Sequence, residues 1–195
     1  IGFYKSVLNL LEGKDPTLKY DILIKIAQVE VLSGYFDDAV EHYNHALKLK
    51  IVSSKPTIEV YKYIGDIYRI KAEYAKALLF YNRGYEFLNK IGKAEQTRLT
   101  KASLCAAMAF TYQVMADYKN ANKFNTYALQ SLRGLKGKRA IEEQGNVFYN
   151  IGVVNFYKGD FEATVSNFEK AYKYFKKIGD WQKQGKILNG LAYIY

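Results

Sequence analysis

His42 and His45 are the only histidines of the chain. They stand three residues apart, a spacing that puts both imidazoles on one face of a helix and would supply half of a metal site. No cysteine or carboxylate cluster completes the set, and without a partner base there is little to build catalysis on, so both read as surface side chains. Cys105 is alone, which excludes an internal disulfide, and its neighbours Ala106, Ala107 and Met108 make it a small core hydrophobe. The stretch GLKGK at 134–138 has the glycine and lysine of a phosphate loop. It lacks the GxxxxGK[ST] spacing and any strand before it. The residues that do chemistry elsewhere therefore predict no enzyme, no metal and no cofactor here.

The elements that carry these residues repeat. In NIGVVNFYKGDFEATVSNFEKAY, residues 150–172, helical period puts Ile151, Gly152 and Phe156 on one stripe. After a break at Gly159-Asp160, a second stripe holds Phe161, Val165, Phe168, Ala171 and Tyr172. This is a helix, a tight turn and a second helix, with a small residue where the two pack closely. Such a pair cannot bury its apolar face alone, and copies of it run along the chain.

Taking Gly152 as reference, the equivalent small residues are Ala27, Gly65, Ala109 and Ala192, at separations of 38, 44, 43 and 40 residues along the series. Three places on stand Tyr68, Tyr112 and Tyr195, with Glu30 and Asn155 as exceptions. The turn aromatic recurs as Phe36, Tyr74, Tyr118 and Phe161. Three residues later come Ala39, Ala77, Ala121 and Thr164, and four further on Tyr43, Tyr81, Asn125 and Phe168. A second small position follows at Ala46, Gly84, Ala128 and Ala171. Both prolines, Pro16 and Pro56, stand just ahead of predicted first helices, where a missing N–H is harmless.

The ordered set resembles the tetratricopeptide repeat, which has a small residue and an aromatic in its first helix and alanine, aromatic, alanine in its second. It departs from that pattern in its period, near 40 rather than about 34, and in lacking the signature tryptophan, replaced by Leu23, Tyr61, Cys105, Phe148 and Leu188. The extra residues fall between repeats, in KIGKAEQTR, GLKGKRAIEEQ and KIGDWQKQG, and are expected to lengthen helices by about a turn. The resemblance implies an all-α fold: a right-handed α-α superhelix, a single solenoid domain over 1–195 of about four and a half helix-turn-helix repeats. The expected divisions are a preceding helix over 1–14, repeats over 20–50, 58–90, 102–133 and 145–177, and the first helix of a further repeat over 181–195. Leu188, Leu191, Ala192 and Tyr195 should form the apolar stripe of that last helix. With no second helix to cover it, the chain reads as part of a longer protein.

Function must then lie in surfaces. Arrays of this kind line a concave groove with their first helices. The family's groove positions map onto Asp21, Ile24, Gln28, Val31 and Leu32, then Glu59, Lys62, Asp66, Arg69 and Ile70. The third repeat contributes Ser103, Ala106, Phe110, Gln113 and Val114, and the fourth Asn146, Tyr149, Val153, Phe156 and Tyr157. Lys186, Asn189 and Tyr193 complete the set. Three basic and three acidic residues leave this groove neutral, although the chain carries a formal net charge of +10. The excess must sit on outer faces, notably RGLKGKR at 133–139 and YKYFKK at 172–177.

A neutral groove with amides and aromatics suits an extended peptide, whose unpaired backbone N–H and C=O groups an asparagine can satisfy together. Asn146, Asn150 and Asn189 are the candidate amides, unless each simply bonds to a neighbouring helix, and Tyr149, Phe156, Tyr157 and Tyr193 the apolar walls. Segments such as FYNIGVVNFY at 148–157 also resemble the repeats of peptide-pheromone-sensing regulators of Gram-positive bacteria. That resemblance implies a cytoplasmic bacterial sensor of signalling or transcription that takes a short peptide in its concave face, partly through Asn150 and Asn189. The peptide-binding set read this way is Asn146, Tyr149, Asn150, Val153, Phe156, Tyr157, Lys186, Asn189, Tyr193, Phe110, Gln113, Lys62 and Arg69. The alternative is a constitutive scaffold that docks an acidic partner through its basic outer surfaces. Partners are thus peptide or protein, with no membrane, with nucleic acid only through a domain outside this chain, and with homo-oligomerisation left open.

Overall fold

A computed structural model describes residues 6, 15–49, 54–91 and 95–194. Among these residues the fold is all-α. Helices α1 (Pro16–Leu32), α2 (Phe36–Lys48), α3 (Ser54–Ile70) and α4 (Tyr74–Ile91) belong to one compact unit, residues 1–91. Helices α5 (Glu95–Val114), α6 (Tyr118–Leu132), α7 (Lys138–Tyr157), α8 (Phe161–Ile178) and α9 (Trp181–Ala192) belong to a second, residues 92–195. Within the units the helices pair as hairpins, α1 with α2, α3 with α4, α5 with α6 and α7 with α8, and α9 lies against α8. The helix expected over 1–14 falls almost wholly outside the described residues, and Tyr195 outside them.

One device closes all four hairpins. Tyr35, Glu73, Asp117 and Asp160 donate their backbone N–H to the carbonyls of Glu30, Tyr68, Tyr112 and Asn155 at 2.8–3.0 Å, which satisfies carbonyls left over at the end of the first helix. The residue before each donor is left-handed. Gly34 and Gly159 adopt this at φ 80° and 77°, while Ala72 and Ala116 accept the same bend at φ 58°. The second helix then begins on the turn aromatic itself, at Phe36, Tyr74, Tyr118 and Phe161. Asp117 and Asp160 cap two of these starts, accepting from the backbone N–H of Asn120 and Ala163 at 3.0 Å each. The extra length of the repeat goes into the helices, since α5 and α7 are 20 residues long and begin before positions 102 and 145.

Close packing explains the small residues. A Cβ at Gly65 would overlap the ring of Tyr81, and one at Gly152 would lie 2.5 Å from Cδ1 of Phe168. Ala27, Ala39, Ala77, Ala109, Ala121, Ala128 and Ala171 are buried in the same role. Cys105 is fully buried, and that burial pushes its thiol pKa up to about 12, as expected of a core hydrophobe.

The last helix buries one side only. α9 packs through buried Gln184 and Ile187, together with Gly190 and Leu191, whereas Leu188 is half exposed and Ala192 exposed. The side that meets α8 thus carries Gly190 against the ring of Phe168, and Leu188 and Ala192 of the expected stripe have no helix over them among the described residues.

The exception at Glu30 also has a reason. In two hairpins the aromatic of the first helix stacks on the residue just before the second-helix core position, Tyr68 on Phe80 and Tyr112 on Phe124, each with centroids 5.5 Å apart. In the first hairpin Glu30 and His42 fill those same two places and replace the stack with a 2.8 Å hydrogen bond. His42 is therefore not the surface side chain its sequence context suggests: it is largely buried and satisfies a carboxylate that is itself buried. His45 is half exposed, as expected, 3.9 Å from Glu41.

Candidate binding groove

Helical spacing alone sets one wall of a groove in residues 92–195. Tyr149, Val153, Phe156 and Tyr157 follow one another at intervals of four, three and one, which keeps them on one face of α7. Asn189, Gly190 and Tyr193 form the opposite wall on α9, and Phe168 of α8 is the floor. The enclosed volume is about 350 Å³. No lining side chain carries a charge.

The floor is fixed by what surrounds it. Glycines approach Phe168 from two helices: a Cβ at Gly152 would meet its Cδ1, and one at Gly190 would lie 2.9 Å from its Cε2. Tyr149 stacks on it with centroids 5.3 Å apart and planes 10° from parallel. The ring is thus held between two backbones and against Tyr149, only 4 % exposed, a rigid base beneath the more open walls.

The walls are open to solvent. Phe156 is 37 % exposed, Tyr157 61 % and Tyr193 90 %. Neighbouring rings steady some of them: Tyr118 stacks on Tyr157 at 6.1 Å, and Phe161 meets Phe156 edge-on at 5.9 Å. One turn along α9, the ammonium of Lys186 lies 4.7 Å above the ring of Tyr149, so a cation borders the apolar floor.

Six residues of the sequence-derived set come together here: Tyr149, Val153, Phe156, Tyr157, Asn189 and Tyr193. Lys186 borders them. Asn146 and Asn150 are half-buried on α7 outside the lining. Phe110 and Gln113 lie on α5, where a buried carbonyl oxygen of the Gln113 amide has no hydrogen-bond partner among the described residues. Lys62 and Arg69 belong to the other unit. There Lys62 binds Asp66 at 2.7 Å, and Arg69 approaches the same carboxylate at 3.9 Å.

Phe168 and Gly190 are the lining residues that sequence reasoning did not assign to a site. Phe168 reads as one more core aromatic of a second helix. The available signal was glycine at 152 and 190, which lets the ring pack closely against two backbones.

The fold is that of a tetratricopeptide-repeat-like protein. Solved structures with this architecture include BtubC (BKLC) from P. vanneervenii, 19 % identical, with a TM-score of 0.77 over 92 % of this chain and 73 % of that one. A signal transduction ATPase with a tetratricopeptide repeat sensor, from Pyrococcus horikoshii, is 21 % identical, with a TM-score of 0.75 over 98 % of this chain and 28 % of its own. RapI in its apo form gives a TM-score of 0.79 at 13 % identity, over 98 % of this chain and 52 % of RapI. The chain thus spans about half of RapI and about a quarter of the ATPase. No protein-family model matches the sequence. No curated protein matches it either.

Proposed function

We propose that the chain is a protein- and peptide-interaction module whose α7–α9 groove takes a short, extended, largely uncharged peptide. The observation that carries this reading is the groove itself: five aromatic rings line it, no charged side chain does, and the walls stand open. An apolar peptide side chain set against the exposed rings of Phe156, Tyr157 and Tyr193 loses water on both surfaces, worth roughly 1.5–3 kcal/mol for full burial before the cost of ordering the peptide. The Asn189 amide on the wall offers a donor and an acceptor to the peptide backbone beside it.

The same reading gives the chain the role of a sensor in a bacterial signalling or transcriptional regulator in the cytoplasm. It supplies no reaction of its own, and the effector lies outside this chain. The likeness in fold to RapI and to the sensor-bearing ATPase is consistent with that role. Ligand closing the furrow between α7 and α9 would change the helix stacking and pass that change on.

Small-angle scattering and thermal melting, with and without a pool of short neutral hydrophobic peptides, test the proposal. Contraction with a raised melting temperature is the expected result. For the double variant Asn150→Ala/Asn189→Ala, helicity should persist while the peptide response is lost. A full response in that variant removes both amides from the binding role, and no response of the unaltered chain to any peptide refutes the groove reading.

A further inference from the structure

The positive charge of the chain is concentrated in one unit. Residues 92–195 hold 16 lysines and arginines against 8 acids, whereas residues 1–91 hold 13 against 11. Within 92–195 the hairpins gather six of these cations at one end. The turn at 158–160 joins α7 to α8, so the start of α7 and the finish of α8 lie together at the opposite end, beside the finish of α6. Contacts tie that end together: the Arg98 guanidinium donates to the carbonyl of Arg133, and the Gln144 amide to that of Leu132 at 3.4 Å.

Arg133, Lys136, Lys138, Arg139, Lys176 and Lys177 are all exposed at this end. No ion pair engages any of them among the described residues. The nearby acids are already used. Lys183 holds Glu142 at 2.6 Å and Asp180 at 3.5 Å, and Glu143 has a partner of its own. Between α5 and the start of α7 there is also a cavity of about 460 Å³. Leu99, buried Leu135 and buried Ala140 line it together with exposed Lys136, Lys138 and Arg139.

We infer that this end is a second interaction surface, independent of the α7–α9 groove, which takes an acidic protein segment carrying one aliphatic side chain between its carboxylates. The aliphatic group enters the Leu99–Leu135 cavity and the carboxylates meet the ring of cations. Protein is favoured over nucleic acid by the lining. A single strand needs aromatic faces on which to stack its bases, and none of the cavity residues is aromatic. The unpaired cations give the surface both its attraction for the segment and its sensitivity to salt.

The test uses the full chain and three fluorescent probes: the blocked peptide Glu-Glu-Leu-Glu-Glu, the same peptide with alanine in place of leucine, and an oligothymidylate. The leucine peptide should bind, with affinity falling steeply as salt rises, and the alanine peptide should bind about threefold to tenfold more weakly. Lys136→Glu/Lys138→Glu/Arg139→Glu should abolish binding with its melting temperature retained, and Lys136→Arg/Lys138→Arg should preserve it. Equal affinity for the leucine and alanine peptides, undiminished binding by the charge-reversed variant, or tighter binding of oligothymidylate than of the leucine peptide would each overturn the inference. None of these outcomes bears on whether neutral peptides occupy the groove.

Discussion

The second and fourth helix pairs hold the same five places with opposite chemistry. Lys62, Asp66, Arg69, Ile70 and Tyr81 of α3 and α4 correspond by repeat register to Tyr149, Val153, Phe156, Tyr157 and Phe168 of α7 and α8. In the second pair these groups satisfy one another. Asp66 receives the Lys62 ammonium at 2.7 Å and the Tyr81 hydroxyl at 2.7 Å, with Arg69 nearby. Their polar atoms are already engaged, so a ligand would have to break bonds to gain any. In the fourth pair the same places hold rings and a valine that stack or pack without any ion pair among them, and their exposed apolar faces have only water to lose. The furrow between α1 and α3 points the same way: it is smaller, about 200 Å³, and Asp21, Lys25 and Glu59 line it. One scaffold thus presents a self-satisfied face in residues 1–91 and an open apolar face in residues 92–195.

The comparison can be broken most severely at its floor. Phe168→Ala removes the ring that both glycines and Tyr149 hold and should cost about 3–5 kcal/mol, read by urea unfolding. A loss under about 1 kcal/mol would mean that the ring is not packed as described. Gly152→Leu should follow, at about 1–3 kcal/mol from overpacking against Phe168, seen as a drop of several degrees in melting temperature. An unchanged melting temperature would contradict the close approach of α7 and α8.

A smaller change sharpens the polar side of the comparison. Tyr81→Phe removes only the hydroxyl that donates to Asp66, and should cost about 1 kcal/mol near neutral pH. Burial and the Asp66 charge raise the Tyr81 pKa well above its ordinary value of 10.0. The unfolded chain therefore releases the tyrosine proton first, and stability falls as pH rises from 10.0 toward the folded value. Urea unfolding across that alkaline window should show a shallower decline for Tyr81→Phe than for the unaltered chain. Equal slopes would remove Tyr81 from the account.

Much of this fold is legible in the sequence because tight packing leaves few choices. Where two helices approach closely only glycine or alanine fits, so Ala27, Gly65, Ala109 and Gly152 mark the contacts, and the turn aromatics mark the first residue of each second helix. Pairings were harder to read. Glu30 looks like a lapse in the aromatic series until His42, in the neighbouring helix, is seen at the paired place. Gly190, the residue of α9 that meets Phe168, lies outside the repeat register and carries no mark in the sequence. Six groove residues followed from the family register, yet the base did not, since Phe168 holds the same buried second-helix position as Tyr43 and Tyr81.

The most direct measurement transplants one face onto the other. Tyr149→Lys/Val153→Asp/Phe156→Arg rebuilds on α7 the self-satisfied set of Lys62, Asp66 and Arg69. The melting shift produced by neutral hydrophobic peptides is then compared with that of the unaltered chain. The account predicts a folded protein of similar helicity in which the shift is gone. An undiminished shift in that variant would place peptide binding elsewhere and contradict the assignment of the groove.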